Sequence, residues 1–310
     1  MATTYVPLPL EEVIVGEPLP APVALQIDFK FITYRTEGDI LDRGMYDRLI
    51  AKGVKSLFVA ATDRESFKKW AERIQGDVPA PDTPEEKLLV QAKEDMKRAT
   101  ALLFSEPITD ASAAAAITSA KQMALAVMNT PNAMPLLATL QGSPRGTFDH
   151  SINISVLSGY LGVRMGYTNQ RVLEILTLGG LFHDIGKAIQ KVGDNDSADE
   201  IDRKRLEHPA VGAAFVATRP DIPPEVRLII EQHHEYYDGS GFPKGLRGAS
   251  IFELASVVGI ANLFDELVAG ARGSLLERQV QAMRELQGVL GKRVEPKKLQ
   301  IALDIFRKGI

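Results

Sequence analysis

His233-His234-Glu235-Tyr236-Tyr237-Asp238-Gly239-Ser240-Gly241-Phe242-Pro243 gathers two imidazoles, two carboxylates and a tight turn into one short stretch. Adjacent histidines at a helix end project roughly 100° apart, a divergence that suits two neighbouring metal ions better than one. Asp238-Gly239 and Gly241-Phe242-Pro243 read as turns, because Gly admits positive φ and Pro fixes φ. A helix is therefore expected to end here and to aim its last side chains into a cleft.

Working outward, apolar residues recur at three- and four-residue spacing through nearly everything from Glu85 onward. Helices are predicted over 85–104, 107–129, 147–166, 170–191, 208–219, 223–234, 251–269, 275–289 and 296–308. The Ala-rich run Ala111 to Ala126 reads as a close-packing helix with no chemical role.

The first part of the chain has a different rhythm. Residues 1–22, with Pro7, Pro9, Pro18, Pro20 and Pro22, read as an irregular arm. Residues 23–27, 29–34 and 56–60 alternate like short strands, and 43–52 looks helical. Thr62 and Glu65 have the spacing of a capping box opening a helix to about residue 74. Pro79, Pro81 and Pro84 mark a linker. The expected organisation is a small α+β regulatory or interaction module over 1–78, a linker over 79–84 and an all-helical domain over 85–310, so the fold class is mainly α.

Composition narrows the function. The chain has 310 residues, 45% hydrophobic, so it can bury a large core, and its net charge of −4 sets up no field for a nucleic acid polymer. A small nucleotide held by local groups stays compatible with that charge. The absence of cysteine excludes disulfides, thiolate metal ligands and Cys nucleophiles, and fits a cytoplasmic protein. No run approaches the ~18 apolar residues of a membrane span, so no membrane insertion is expected.

All five histidines, His150, His183, His208, His233 and His234, fall in the helical half. With Asp184 they supply the nitrogen and oxygen donors that suit Fe, Mn, Zn or Ni, and a carboxylate such as Asp184 can bridge two ions that jointly activate a water. The pairs His183-Asp184 and His233-His234 would each diverge toward two ions, with His150 and His208 completing the cage. Lys187, three residues after Asp184, shares its helix face and could hold a phosphate oxygen or a ligand carboxylate, with Gly186 permitting close approach to a ligand. On the late helix Asn262, Asp265 and Glu266 form a polar face that either meets the metal centre or Lys187, or faces water.

From about Thr147 to Leu267 the chain resembles the HD domain superfamily and, within it, the HD-GYP family. The likeness rests on Leu181-Phe182-His183-Asp184-Ile185-Gly186-Lys187, on His208-Pro209 with Gly212, on His233-His234-Glu235 with Asp238-Gly239-Ser240-Gly241, and on Phe264-Asp265-Glu266-Leu267. The resemblance implies a cyclic di-GMP phosphodiesterase whose metal-bridging hydroxide opens the dinucleotide to pGpG or GMP. It implies His150, His183, Asp184, His208, His233 and His234 as metal ligands, with Asn262 or Asp265 the late-helix ligand. It assigns Lys187 to catalysis and the substrate phosphate, makes Glu235 and Asp238 orienting groups for the turn Gly241-Phe242-Pro243, and gives two divalent ions, iron foremost.

Several positions depart from the family pattern. Phe242 replaces the tyrosine of Gly-Tyr-Pro, Asn262 replaces an aspartate, and Gly146 stands where three-metal members carry a glutamate, which argues for two metals. Ala271-Arg272-Gly273-Ser274 replaces an Arg-Pro-Tyr-Lys segment, leaving Arg272 as the basic group for substrate. The polar stretch Gly193 to Ser197 suggests a mobile lid. An alternative follows from these departures: a metal-binding cyclic di-GMP receptor with little turnover, signalling to a protein partner through the N-terminal module.

Overall fold

Two apolar clusters, one from each part of the chain, organise the structure, a computed structural model that describes residues 3–14, 16–27, 30–75, 82–104, 108–130, 147–191, 196–271 and 275–308. The first cluster lies under a four-stranded antiparallel sheet of β1 (Tyr5–Pro9), β2 (Val23–Ile27), β3 (Lys30–Arg35) and β4 (Ser56–Ala60), in the order β1-β4-β2-β3. Leu8 stands opposite Leu57 and both are buried, and Tyr46 and Leu49 of α1 (Arg43–Ala51) and Phe67 and Trp70 of α2 (Arg64–Gln75) belong to the same cluster.

Two expectations for this module need correction. The first 22 residues are not an irregular arm: β1 is an edge strand, and Leu10, Val13, Ile14 and Leu19 are core. Prolines are compatible with an edge, where one side of the strand needs no N–H donors, so Pro7 and Pro9 mislead only if every proline is read as a breaker. The Thr62–Glu65 capping box does not form. Ala61–Asp63 is a 3₁₀ turn, α2 starts at Arg64, and the Thr62 hydroxyl donates to Asp63 Oδ1.

The helical part runs through α3 (Pro84–Leu103), α4 (Asp110–Asn129), α5 (Thr147–Arg164), α6 (Gln170–Phe182), α7 (Ile185–Gln190), α8 (Ala198–Ala217), α9 (Pro224–Gln232), α10 (Glu253–Gly270), α11 (Leu275–Gln287) and α12 (Pro296–Lys308). Thr83 and Glu86 close a reciprocal capping box at the start of α3, and Thr109 and Ser112 do so for α4. Ala113, Ala116, Ala120 and Ala124 are fully or nearly fully buried, so the Ala-rich helix packs closely, as its composition suggests. Thr177 of α6 donates to the Ala120 carbonyl at 2.9 Å, which pins α6 against it.

Two helix boundaries differ from expectation, and both bear on the site. The segment 170–191 is broken at His183-Asp184, where Asp184 has φ −102° and ψ 10° and starts α7 afresh. The helix containing His208 begins ten residues earlier than predicted, at Ala198, because Ser197 and Glu200 form a capping box. Of the expected lid, Gly193 to Asn195 lie outside the described residues, while Asp196 accepts from Lys204 Nζ at 2.7 Å and Ser197 caps α8. The linker residues up to 81, Gly146 and Arg272 also lie outside the described residues.

Glycines set how closely the site helices approach. A Cβ on Gly180 would sit 2.7 Å from backbone atoms of α5, and one on Gly186 would sit 2.0 Å from the His208 carbonyl oxygen. Gly186 was expected to admit a ligand; it admits the backbone of α8.

Candidate metal centre

The break after α6 turns His183 and Asp184 inward together. His183, Asp184, His208, His233 and His234 are all buried, and His150 is partly so. Asp184 lies at the middle. Its Oδ2 is 3.3 Å from His183 Nε2 and 3.7 Å from His150 Nε2, and its Oδ1 is 3.1 Å from His208 Nε2 and 3.7 Å from His233 Nε2. Two ligand groups result, Asp184 with His208, His233 and His234, and Asp184 with His150 and His183.

This division differs from the one expected for the histidine pair. His233 and His234 belong to the same group, with ring centroids 4.1 Å apart and planes at 42°. Helix α9 stops at Gln232, and His234 lies in the turn that follows.

The backbone fixes the tautomers. Nδ1 of His183, His208 and His233 meets the carbonyl three residues earlier, Gly180 at 2.7 Å, Arg205 at 2.6 Å and Ile230 at 2.7 Å. A carbonyl only accepts, so each Nδ1 carries a proton and each ring turns its Nε2 inward as the atom open to a metal. Burial pushes His233 down to about 4, with the Asp184 hydrogen bond opposing, and burial likewise lowers His183 against the Asp184 charge. Burial and the His233 charge lower His234 further. Burial would raise Asp184, but His183 and then Lys187 hold its carboxyl well below the usual range.

His150 is oriented differently. Asp265, fully buried on α10, faces His150 Nδ1 at 2.8 Å and accepts from Asn153 Nδ2 at 3.2 Å. Burial lowers His150, yet the Asp265 hydrogen bond and charge outweigh it and leave the ring raised. Asp265 thus meets two residues of α5, His150 through Oδ2 and Asn153 through Oδ1. Asn153 was missed by sequence reasoning; its signal is an amide three residues after His150, on the same helix face.

These residues fit metal binding. His208 Nε2 and His233 Nε2 are 3.3 Å apart and His150 Nε2 and His183 Nε2 3.1 Å apart, so imidazole nitrogens crowd together around Asp184. Asp184 Oδ1 and Asn262 Oδ1 are buried oxygens without a hydrogen-bond partner. A cation held by these nitrogens and Asp184 would satisfy the buried Asp184 oxygen.

The surrounding residues hold the ligands. Lys187 Nζ lies 2.7 Å from Asp184 Oδ2 while its side chain stays 44% exposed. Buried Glu235 accepts from the Lys244 N–H at 2.6 Å and the Leu246 N–H at 2.8 Å, closing the turn after the histidines. Asp238 accepts from the Ser240 N–H and hydroxyl. A Cβ on Gly241 would meet the His234 carbonyl at 2.3 Å, so only glycine lets the turn fold back. Phe242, in cis linkage to Pro243, stacks on His234 at 4.6 Å and 24°. Asn262 donates to Glu266 Oε1 at 3.2 Å.

A buried His/Asp cluster that fits metal binding lies at the meeting of α5, α6, α8, α9 and α10, and the HD domain family model matches residues 121–297. The chain belongs to that family. Among its relatives, the cyclic di-GMP phosphodiesterase response regulator RpfG of Xanthomonas campestris pv. campestris is 30% identical over 131 residues, 40% of this chain and 34% of the relative. The 3'3'-cGAMP-specific phosphodiesterase 1 of Vibrio cholerae is 28% identical over 156 residues, 48% of this chain and 35% of the relative. The chain thus spans about a third of the length of these relatives. The solved structure of Bd1817, a HDG"Y"P protein from Bdellovibrio bacteriovorus, matches with a TM-score of 0.60 at 22% identity, covering 98% of this chain and all of the other, a likeness of fold. Among the described residues no helix is long and apolar enough to cross a membrane.

Proposed function

We propose that this chain is a two-metal phosphodiesterase that hydrolyses cyclic di-GMP to pGpG or GMP. The observation that carries the reading is the convergence of five histidines on Asp184 in two ligand groups, joined by relatives that act on cyclic dinucleotides. His150, His183, Asp184, His208, His233 and His234 would hold the two ions, iron foremost and Mn, Zn or Ni also suited to the donor set. When bound, such ions supply Lewis acidity toward a phosphoryl oxygen and toward the attacking water.

The chain's own residues do the rest. The Gly180, Arg205 and Ile230 carbonyls keep three rings in the donor tautomer, and Asp265 does the same for His150. Lys187 brings a positive charge to the exposed side of Asp184, where it is free to turn toward a phosphate. In the hydrolysis the water oxygen joins phosphorus, the P–O bond to one ribose 3′ oxygen breaks, and that oxygen takes the proton.

Chromatography of cyclic di-GMP incubated with metal-loaded protein tests this: pGpG or GMP should form, and should not form with Asp184→Ala. A second reading, a receptor that binds without cleaving, is favoured by Phe242, which has no hydroxyl beside His234, and by the neutral Asn262. Tight binding with intact ligand recovered from metal-loaded protein would establish it. A protein partner through the N-terminal module belongs to that second reading.

A further inference from the structure

Helix α7 carries Lys187 and is only Ile185–Gln190 long, too short for its own hydrogen bonds to hold it in place. Its position is set from α8 at both ends. At the start, Gly186 rests against the backbone of α8, where a Cβ would come 2.0 Å from the His208 carbonyl oxygen. At the far end, Lys204, one helical turn before His208, donates through Nζ to the Lys191 carbonyl at 2.7 Å and to Asp196 Oδ2 at 2.7 Å.

Lys191 has φ 44°, the only positive φ outside glycine among the described residues. A side chain with a Cβ stays in that region only where its surroundings hold it. The Lys191 N–H donates to the Lys187 carbonyl at 3.2 Å, and the Lys187 N–H to the Asp184 carbonyl at 2.9 Å, while Lys187 Nζ reaches Asp184 Oδ2 at 2.7 Å. A continuous line of hydrogen bonds thus runs from Asp196 through Lys204 and Lys191 to Lys187 and Asp184. The Lys204 and Asp196 side chains are 20% and 17% exposed, so water competes less for this pair than for Arg205 and Asp202 on the same helix, which are 65% and 73% exposed.

We propose that Lys204 is a positioning residue: by binding the Lys191 carbonyl, with Asp196 holding its ammonium, it fixes the short helix that presents Lys187 to a substrate phosphate. This rests on the phosphodiesterase or receptor reading above and deepens it by naming the group that aims Lys187. The hydrogen bonds of Lys204 go to Lys191 and Asp196, so its effect on the chemistry passes through α7. Without it the last turn of α7 loses its anchor, and the Lys187 ammonium no longer swings from Asp184 to a fixed point.

The test is a double-mutant cycle on full-length, metal-loaded protein: wild type, Lys204→Met, Lys187→Met and the double variant. The quantities measured are kcat and KM for cyclic di-GMP, or Kd where the ligand is not cleaved, with metal content determined for each protein. Lys204→Met should keep its metal and lose about tenfold to a hundredfold in kcat/KM, or about tenfold in affinity. In the Lys187→Met background the same change should cost less than about twofold. Lys204→Arg, whose fork can reach both acceptors, should recover part of the loss. Amide hydrogen exchange, which needs no turnover, should be faster over 185–191 in Lys204→Met and unchanged over 170–182. An equal loss in both backgrounds, or exchange over 185–191 at the wild-type rate, overturns the role given to Lys204. If Lys204→Met does not fold, Asp196→Asn replaces it in the cycle and is judged by the same outcomes. A wild type that neither binds nor cleaves cyclic di-GMP overturns the functional reading and the aiming of Lys187 with it.

Discussion

Gly186→Ala is the most demanding test of how the site is assembled. The new Cβ would lie 2.0 Å from the His208 carbonyl oxygen, 2.8 Å from its carbonyl carbon and 2.9 Å from the Gly212 nitrogen, all backbone atoms. A relaxed contact needs about 3.5 Å, so α7 and α8 must part by roughly 1.5 Å. That movement takes His208 Nε2 away from Asp184 Oδ1, now 3.1 Å distant, and splits one ligand group. Overpacking of this kind costs about 1–3 kcal/mol, and a 1 Å misplacement at a reacting centre costs about a hundredfold in rate. Gly212→Ala is the matched control, because its Cβ would meet Ile230 Cγ2 at 3.0 Å and Ile185 Cγ2 and the Gly186 nitrogen at 3.2 Å, contacts that need give by only a few tenths of an ångström. Calorimetry, metal quantification and turnover of cyclic di-GMP should all show Gly186→Ala far more damaged than Gly212→Ala. Equal metal content and equal Tm in the two variants would refute the reasoning.

Further outcomes follow from the same geometry. Glu235→Gln puts an amide N–H against the Lys244 or Leu246 N–H, a loss of about 1.5–3 kcal/mol, so Tm measured by calorimetry should fall by roughly 5 °C; an unchanged Tm would show that the turn does not depend on the carboxylate. Phe242→Tyr keeps the ring on His234 and should leave the metal content unchanged; wholesale metal loss would mean that the ring is misplaced. In metal-free protein His233 stays neutral down to about pH 4, whereas its unfolded form takes up a proton below about 6.5. The unfolded state then binds more protons, so stability falls as pH drops from 6.5 toward 4, by roughly 3 kcal/mol from this group. His234 acts in the same sense and His150, raised by Asp265, in the opposite one. Denaturant midpoints that hold steady or rise between pH 7 and 4.5 would contradict the neutral-ring assignment.

The gathering of the five histidines around Asp184 was legible because metal chemistry restricts residue types: five histidines and one His-Asp pair, in a chain with no cysteine, leave few other uses for them. Their division into two groups was not, because periodicity alone continues through His233-His234, whereas α9 stops at Gln232. The break at Asp184 was hidden for the same reason, as Ile185, Ala188 and Ile189 extend the apolar pattern of α6. The early start of α8 is readable in Ser197 and Glu200, which have capping-box spacing. Edge strand β1 was obscured by its prolines, and its pairing to β4 depends on residues about fifty positions away. Asp265 shares a helix face with Asn262, so spacing could not say which of them turns toward α5 and which toward the histidines.

The most direct measurement is the metal stoichiometry of folded wild-type protein and of Asp184→Ala, by elemental analysis after purification from a host grown with iron and manganese. Two equivalents per chain in the wild type and neither retained in the variant is the result expected if the imidazoles converge on Asp184. A folded wild type that retains no transition metal, or an Asp184→Ala protein that keeps both ions, would contradict it.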